Sequence, residues 1–252
     1  MAVHPLVKRF YPESVILGYT FVDGTNTFYN SIRRLIGQDA DEKVLLDLGC
    51  GRGAYIQQDG EVADYVIQVR NFKGKVKRVI GIDVDPNAAG NPSIDEFHLL
   101  EIDKPWPVED NSIDVCICDY VVEHVVNISY LFSELNRVMK KGGIACFRTP
   151  NKFGYMAFIS ALVPNMLHSK VLKKVQSHRK EEDVFPVVYK CNTKKAFDRL
   201  LKQHDFDPYV FYYNSEPSYL KFSYITFFFG YYLQKFLPKG MKATIFAFAR
   251  KK

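Results

Sequence analysis

The sequence predicts an α/β fold in which a mostly parallel, doubly wound sheet is covered by helices on both faces. Short apolar runs alternate with amphipathic segments, and no internal repeat or low-complexity linker divides the chain. Strands that are buried on both faces of a parallel sheet read as continuous apolar runs, and β–α alternation is typical of a doubly wound sheet. We therefore expect one domain that spans residues 1–252.

The predicted strands cover, in chain order, residues 44–48, 78–82, 97–100, 113–118, 144–148, 209–213 and 244–249. A lead-in helix is expected over about 25–36, and a second helix near 129–139 should be stopped by Gly142-Gly143. Thr193 is a plausible N-cap for a third helix that ends at His204. These elements form a core over about 40–150 and 192–252, with helical insertions over about 152–190 and 215–241.

Composition is ordinary for a soluble globular protein, with 47% hydrophobic and 25% charged residues. The first residues show no signal-peptide pattern, and no apolar stretch reaches the ~18 residues of a membrane span. The five cysteines have no C-x-x-C spacing, so we expect reduced, buried thiols rather than a metal site. Together these features predict a cytoplasmic protein.

Charge is distributed unevenly along the chain. Residues 1–150 hold 16 Lys and Arg against 21 Asp and Glu, a net charge of −5, whereas residues 151–252 hold 18 against 7, a net of +11. A basic half of this size favours an anionic partner, which could be a phosphorylated substrate, an anionic membrane surface or nucleic acid. Its Lys and Arg are scattered among apolar residues rather than gathered into an RNA-binding module, so nucleic acid is the partner we expect least.

A glycine-rich segment follows the first predicted strand directly: Asp47-Leu-Gly49-Cys-Gly51-Arg-Gly53. Glycines at alternate positions let the backbone approach a nucleotide-like ligand closely. The segment could also be a plain tight turn, or a dinucleotide fingerprint, since Gly49, Gly51 and Ala54 read as G-x-G-x-x-A. The acid two residues before the first glycine suits a cationic ligand better than a pyrophosphate.

Four more segments extend the pattern in order. They are Val79-Ile-Gly-Ile-Asp83, Leu99-Leu-Glu-Ile-Asp103, Asp119-Tyr-Val-Val-Glu123-His124-Val125, and Glu134-Leu-Asn-Arg137-Val-Met-Lys-Lys-Gly142-Gly143. With the glycine loop, they resemble the motifs of the class I S-adenosylmethionine-dependent methyltransferases of the type 11 kind. The resemblance covers about residues 30–150 and, more loosely, 192–205, and it implies a Rossmann-like fold with a seven-stranded sheet. It departs from the family at Lys141, where proline is common, and over 54–77, where Gly60 interrupts the expected first helix.

The resemblance implies S-adenosylmethionine as the cofactor and methyl transfer as the reaction. The family's adenosine ribose contact falls on Asp83, with Asp85 as a competitor, and its adenine contact falls on Asp103. The residues that we expect to bind the cofactor are Asp47, Gly49, Cys50, Gly51, Gly53, Asp83, Val84, Asp103, Asp119 and Tyr120. Strand five ends in Arg148 rather than in an acid, so we expect no metal.

Methyl transfer to oxygen gains from a base, and His124 and Asp119 at the end of strand four are the candidates, with His178 an outsider. We expect an O-methyltransferase that acts on a small-molecule, glycan or lipid-linked acceptor. The alternatives are an NAD(P)-dependent Rossmann oxidoreductase and a non-catalytic binding protein of the same fold. Against NAD, Asp83 lies thirty residues after Gly53, beyond the usual gap of about 20 residues.

An aromatic run over 219–237 separates the last two predicted strands. Its residues 222–234 carry no formal charge, and lysines flank it at positions 221, 235, 239 and 242. The run is too short to span a bilayer. It could be a core or lid helix, or an interfacial element that gives the protein a peripheral contact with the inner membrane surface. We expect both insertions to form the acceptor side of the site.

Overall fold

The computed structural model describes residues 3–53, 56, 64–155 and 187–252. Within them the helices are α1 (Pro5–Phe10), α2 (Ser14–Leu17), α3 (Gly24–Ile36), α4 (Asp64–Arg70), α5 (Ile128–Val138), α6 (Lys194–Gln203) and α7 (Tyr224–Phe236). The strands are β1 (Val44–Leu48), β2 (Arg78–Asp83), β3 (Glu96–Leu99), β4 (Ile113–Asp119), β5 (Met139–Pro150), β6 (Phe206–Tyr213) and β7 (Thr244–Lys251). Each predicted strand has its counterpart.

The seven strands form one sheet in the order β3-β2-β1-β4-β5-β7-β6. The first five are parallel, and β7 runs antiparallel to both of its neighbours, β5 and β6. The order reverses between β1 and β4, and ligands of open α/β sheets bind at such a reversal, outside the carboxyl ends of the strands. The predicted Rossmann-like, mostly parallel, seven-stranded sheet is confirmed.

Apolar layers cover both faces of the sheet. Alternate residues of β1 point to opposite faces, so that Leu46 joins the cluster of α5 and α6, whereas Leu45 joins the cluster of α3 and α4. The residues Val79, Ile117 and Cys146 face the α3 side as well. Asp83 comes four residues after Val79, and Asp119 and Arg148 come two residues after Ile117 and Cys146, so the same alternation directs these three side chains to the α3 side at the carboxyl edge. Asp47 lies on the same side, because it comes two residues after Leu45 in β1.

Two element boundaries differ from the sequence prediction. The helix expected near 129–139 ends at Val138, and β5 begins at Met139, five residues earlier than expected. The prediction that Gly142-Gly143 stops the helix is therefore wrong, because both glycines lie inside β5. The pairing of β4 with β5 shifts register between Ile113 and Val115, and Gly142 adopts a φ of 79° there, so the glycines serve an irregular strand entry.

The lead-in helix α3 is packed into the core, since its residues Phe28 and Ile32 are fully buried. Asp23 caps it by accepting a hydrogen bond from the Asn26 N–H at 2.7 Å. Helices α1 and α2, which precede it, were not predicted.

Most of the expected 152–190 insertion, including His178, lies outside the described residues, as do 54–55 and 57–63 of the segment after the glycine loop. No helix of the described part of the chain is long and apolar enough to cross a bilayer.

Candidate functional site

The glycine loop leaves β1 at the point where the strand order reverses. Gly49, Gly51 and Gly53 all have positive φ, at 72°, 54° and 67°, which side chains other than glycine's rarely adopt. A Cβ on Gly49 would lie 2.3 Å from Val121 Cγ2, whereas a Cβ on Gly51 would meet no atom of the described residues within 4 Å. Among those residues, nothing covers the Cα of Gly51.

Asn91 holds this loop in place, and sequence reasoning missed it. Its side chain is buried, and Nδ2 donates hydrogen bonds to the carbonyl oxygens of Cys50, at 2.9 Å, and Gly51, at 3.1 Å. Its Oδ1 accepts from the backbone and hydroxyl of Ser93. Asn91 would collide with any side chain at Gly53, because a Cβ there would lie 2.3 Å from Oδ1. The glycine requirement thus comes partly from a residue forty positions downstream.

Asp83 ends β2 beside the loop, as predicted. Its Oδ2 accepts the Gly51 N–H at 2.8 Å, and its Oδ1 accepts the Asp85 N–H at 2.9 Å. A carboxylate has about four acceptor sites, so both oxygens can accept further hydrogen bonds. Asp85 instead caps the next turn by accepting the Asn87 N–H. Val84, between the two acids, is exposed.

Asp47 and Cys50 differ in the groups that they can offer a ligand. Burial of the side chain, and then the neighbouring carboxylate of Asp119, raise the pKa of Asp47 to about 7. The Cys50 side chain packs over Gly81 in β2, where a Cβ would lie 2.8 Å from its Sγ. Burial and the nearby Asp47 also raise the pKa of the Cys50 thiol, which keeps it protonated. Cys50 therefore offers a ligand its backbone rather than a thiolate.

Asp119 and Arg148 form a buried ion pair at the ends of β4 and β5. Arg148 Nε donates to Asp119 Oδ1 and its second terminal nitrogen donates to Oδ2, both at 2.6 Å, with side-chain exposures of only 6% and 11%. The Tyr29 hydroxyl of α3 also donates to Oδ2, at 3.0 Å. Burial and the carboxylate of Asp119 raise the pKa of Tyr29, so it remains a donor.

Three carboxylates meet at this edge, those of Asp47, Asp83 and Asp119. Arg148 pairs with Asp119, and the guanidinium group of Arg70 acts on Asp47 electrostatically. Carboxylates in this position can attract a cationic ligand.

Tyr120 follows β4 with a φ of 58°, a strained value for an aromatic residue, and its N–H donates to the Arg148 carbonyl at 2.8 Å. The Arg148 guanidinium carbon lies 4.8 Å from the centre of its ring. Both residues border a cavity of about 240 Å³. Its lining consists of Asp23, Gly24, Thr25, Tyr120, Arg148, Tyr155, Ser215, Glu216, Ser218, Tyr219, Ala243 and Thr244.

Glu216 is the one carboxylate that the β6–α7 connection contributes to this cavity, and sequence reasoning missed it. It is partly buried, and it accepts hydrogen bonds from the hydroxyls of Thr20, at 3.1 Å, and Ser218, at 3.0 Å. Burial, followed by the charge of Asp23, raises its pKa above the usual value for glutamate. A carboxylate of this kind can take up a proton nearer to neutral pH than an exposed one.

His124 lies in a short turn after β4, and the cavity lining does not include it. Its Nε2 is 3.9 Å from Oε1 of the buried Glu123. Glu123 accepts the Thr149 hydroxyl at 2.9 Å, and Asn192 donates to the same hydroxyl at 2.6 Å. This buried chain of hydrogen bonds fixes the turn that carries His124.

Asp103 lies farther along the same edge, after β3, with a φ of 60° and an exposed side chain. It accepts a hydrogen bond from Asn127 at 3.2 Å, and Asn127 caps α5. The structure therefore brings together Asp47, the glycine loop, Asp83 and Asp119, sets Tyr120 between this group and the cavity, and leaves Asp103 at the rim.

Replacement of Arg148 by Met should lower the free energy of unfolding by about 3–5 kcal/mol, because it leaves the Asp119 carboxylate buried without its partner. Urea unfolding measures this. Replacement of Arg78 by Met removes an exposed ion pair with Glu96, so it should change stability by less than about 1 kcal/mol. If the two variants lose equal stability, the buried pair does not have the structural role that we assign to it.

Comparison with known proteins agrees with this geometry. Residues 46–147 match the family model of a methyltransferase domain. The chain is 30% identical over 155 residues to a probable S-adenosylmethionine-dependent methyltransferase of Mycolicibacterium smegmatis, covering 59% of this chain and 52% of that protein. It is 23% identical over 158 residues to the demethylmenaquinone methyltransferase of Bacillus cereus, covering 56% and 62%. The chain thus spans roughly half to three fifths of the length of these curated relatives.

The fold matches a solved S-adenosylmethionine-dependent methyltransferase from Archaeoglobus fulgidus with a TM-score of 0.53 and 17% identity, covering 92% of this chain and 96% of that one. At this identity the likeness concerns the fold. The sequence match covers the part of the sheet that carries the glycine loop, Asp83 and Asp119, and the fold match covers the rest. Residues 46–147 are therefore similar to a methyltransferase domain, and the fold is that of a solved S-adenosylmethionine-dependent methyltransferase.

Proposed function

We propose that this chain transfers a methyl group from S-adenosylmethionine to an acceptor bound in the cavity beside Tyr120. The observation that carries the proposal is the glycine loop, whose Gly51 Cα is left uncovered by the described residues and which lies beside the carboxylates of Asp47 and Asp83. S-adenosylmethionine bears a positive sulfonium and a positive ammonium group, and when bound it supplies an activated methyl group. The residues present fit such a cofactor.

Within that site the backbone of Gly49–Gly53, Cys50 included, would face the cofactor, and Asp83 would accept hydrogen bonds from the two ribose hydroxyls. Exposed Val84 and Asp103 would lie at the adenine, and Asp47 toward the cationic end. Asp119 would act through position rather than by accepting a proton, because its two oxygens already bind Arg148 and Tyr29. To act as the base predicted from the sequence, Asp119 would first have to release Arg148.

An NAD(P)-dependent oxidoreductase is the alternative with a comparable glycine loop. The usual dinucleotide-binding sheet has the order 3-2-1-4-5-6, all parallel. Here the antiparallel β7 is inserted between β5 and β6. Asp47 would also stand close to a pyrophosphate, which its charge disfavours. A non-catalytic binding protein of the same fold would retain the loop without needing a carboxylate in the neighbouring cavity.

The cavity supports a hydroxyl acceptor and hence O-methylation. Tyrosines and hydroxyl side chains dominate its lining, and Glu216 provides a carboxylate with a raised pKa. A hydroxyl that gains a methyl group must lose its proton, and we assign that proton to Glu216. His124, the base expected from the sequence, is the alternative. Proximity between acceptor and methyl donor supplies the larger part of catalysis in such reactions, up to ~7–11 kcal/mol.

The surroundings of the cavity support a particular class of acceptor. The aromatic segment 219–237 begins at its wall with Tyr219, so a hydrophobic or lipid-linked acceptor fits this side of the site. The matched Bacillus cereus protein is named for a quinone acceptor, demethylmenaquinone. A peripheral contact through 219–237 at the inner membrane surface, a cytoplasmic location and the low expectation of nucleic-acid binding all stay predictions.

Replacement of Asp83 by Ala should weaken S-adenosylmethionine binding by about 10²- to 10⁴-fold, because it removes two charge-assisted hydrogen bonds that are each worth ~1.5–3 kcal/mol. Calorimetric titration measures it. Asp85→Ala is the matched control and should bind within about threefold of the wild type. If Asp85→Ala is the impaired variant and Asp83→Ala is not, the ribose contact belongs to Asp85.

The affinity for S-adenosylmethionine should fall as the pH drops below about 7. A bound cation favours ionised Asp47, whose pKa is raised to about 7 in the free protein, so below that pH binding must displace a proton. We expect losses of up to about tenfold per pH unit, measured by calorimetry between pH 5.5 and 8.5. Asp47→Asn should flatten the profile, and Glu109→Gln, which removes an exposed acid, should leave it unchanged. An unchanged slope in Asp47→Asn would exclude this role.

An acceptor assay can separate the two candidate bases. With S-adenosylmethionine labelled in its methyl group and a bacterial lipid extract as the acceptor source, label should enter the organic phase. Glu216→Gln should slow this transfer by about 10²- to 10⁴-fold without changing cofactor affinity. If His124→Gln causes that loss and Glu216→Gln does not, His124 is the base. Label that stays entirely in the aqueous phase would contradict a lipid-linked acceptor.

A further inference from the structure

Helix α7 presents an apolar stripe to solvent. Ile225, Phe229, Tyr232 and Phe236 recur at spacings of four, three and four residues, which places them on one side of a helix. Their exposures are 76%, 66%, 43% and 82%. The opposite side is the packed one, since Phe227 and Gly230 are buried. The helix is therefore apolar on both sides, although only one of them belongs to the core.

The N-terminal helices extend this apolar surface. Phe10 of α1 packs its ring among those of Tyr224, Phe227, Phe228 and Tyr231, at centroid distances of 5.0 to 6.1 Å. Helix α1 in turn contacts α2. In and just after α2, Ile16 and Phe21 are exposed to 89% and 72%. Large apolar side chains exposed together in this way mark an interaction surface.

The charged residues within α7 and the turns on either side of it have one sign. Residues 217–243 contain four lysines, at positions 221, 235, 239 and 242, and no acid. Lys235 Nζ lies 4.2 Å from the ring centre of Tyr231, and the Arg9 guanidinium carbon lies 4.8 Å from that of Tyr224. The cations therefore stand directly beside the aromatic rings. This combination is typical of helices that lie in the headgroup region of an anionic bilayer.

The stripe also adjoins the acceptor cavity. Glu216, Ser218 and Tyr219 line the cavity and lead directly into α7. The Tyr155 hydroxyl, in the same lining, accepts a hydrogen bond from Gln234 of α7. On the N-terminal side, Thr20 donates to Glu216 at 3.1 Å. A surface seated on α7 would thus have the cavity beside it.

We propose that α7, with α1 and α2 behind it, docks on the surface of an anionic phospholipid bilayer and so receives its acceptor from the membrane. The acceptor part rests on the proposed function, whereas the docking stands on the exposed stripe and its lysines alone. A second copy of this chain is disfavoured as the occupant, because a two-fold contact would bring the like-charged lysine rims together. At 13 residues the helix lies in the interface rather than across it.

The test is co-sedimentation of the full chain with vesicles of phosphatidylcholine alone or mixed with phosphatidylglycerol. The wild type should sediment with the anionic vesicles, and added salt should weaken this binding. Ile225→Ser with Phe229→Ser should lower the partition coefficient at least about tenfold, because two large apolar side chains no longer enter the headgroup region. Val126→Ser with Tyr209→Ser removes two side chains of matched exposure, 72% and 70%, outside α7, and should bind as the wild type does.

Three further results decide the interpretation. Circular dichroism and cofactor titration of the Ile225/Phe229 variant should match the wild type, which separates a failure of docking from a failure of the methyltransferase assignment. If the wild type stays in the supernatant with anionic vesicles, docking is wrong even where S-adenosylmethionine binds. If light scattering instead shows a dimer that the Ile225/Phe229 substitutions dissociate, the stripe is a contact between copies of the chain.

Discussion

The buried ion pair between Asp119 and Arg148 is the interaction on which the rest of the site depends. It joins the carboxyl ends of β4 and β5, and Tyr29 brings α3 to the same carboxylate. Because a half-broken pair would leave a charge in the core, the three elements hold together as a unit. The pair also neutralises Arg148, so Asp47 and Asp83 set the charge of the cofactor edge. On its other side Arg148 borders the acceptor cavity.

The sheet and the glycine loop could be predicted from local sequence patterns. The short apolar run 44–48 followed by alternating glycines indicates a strand that leads into a turn, and Gly49, Gly51 and Gly53 adopt positive φ there. The position of Asp83 at the end of β2 was predictable from the same kind of local pattern, a short apolar run that ends in an acid, whereas its contact with the ribose stays a prediction. In each case the information lies within about five neighbouring residues.

Other features depend on contacts between distant parts of the chain, and the sequence could not reveal them. Asn91 acts on a loop forty residues earlier, and Glu216 lines the same cavity as Tyr120 and Arg148, although it is far from both in the sequence. Asp119 was expected to be free for catalysis because its partner, Arg148, stands on another strand. The end of α5 was misjudged since a glycine pair signals a helix stop and an irregular strand entry equally well.

The central claim is that the edge of the sheet around Gly51, with its carboxylates, binds a cationic adenosine cofactor. We propose that the acceptor binds on the side of aromatic helix α7. Calorimetric titration of the wild-type chain with S-adenosylmethionine and, separately, with NAD tests this most directly. We predict one molecule of S-adenosylmethionine bound per chain and no measurable heat from NAD at the same concentrations. Binding of NAD without binding of S-adenosylmethionine would contradict the account.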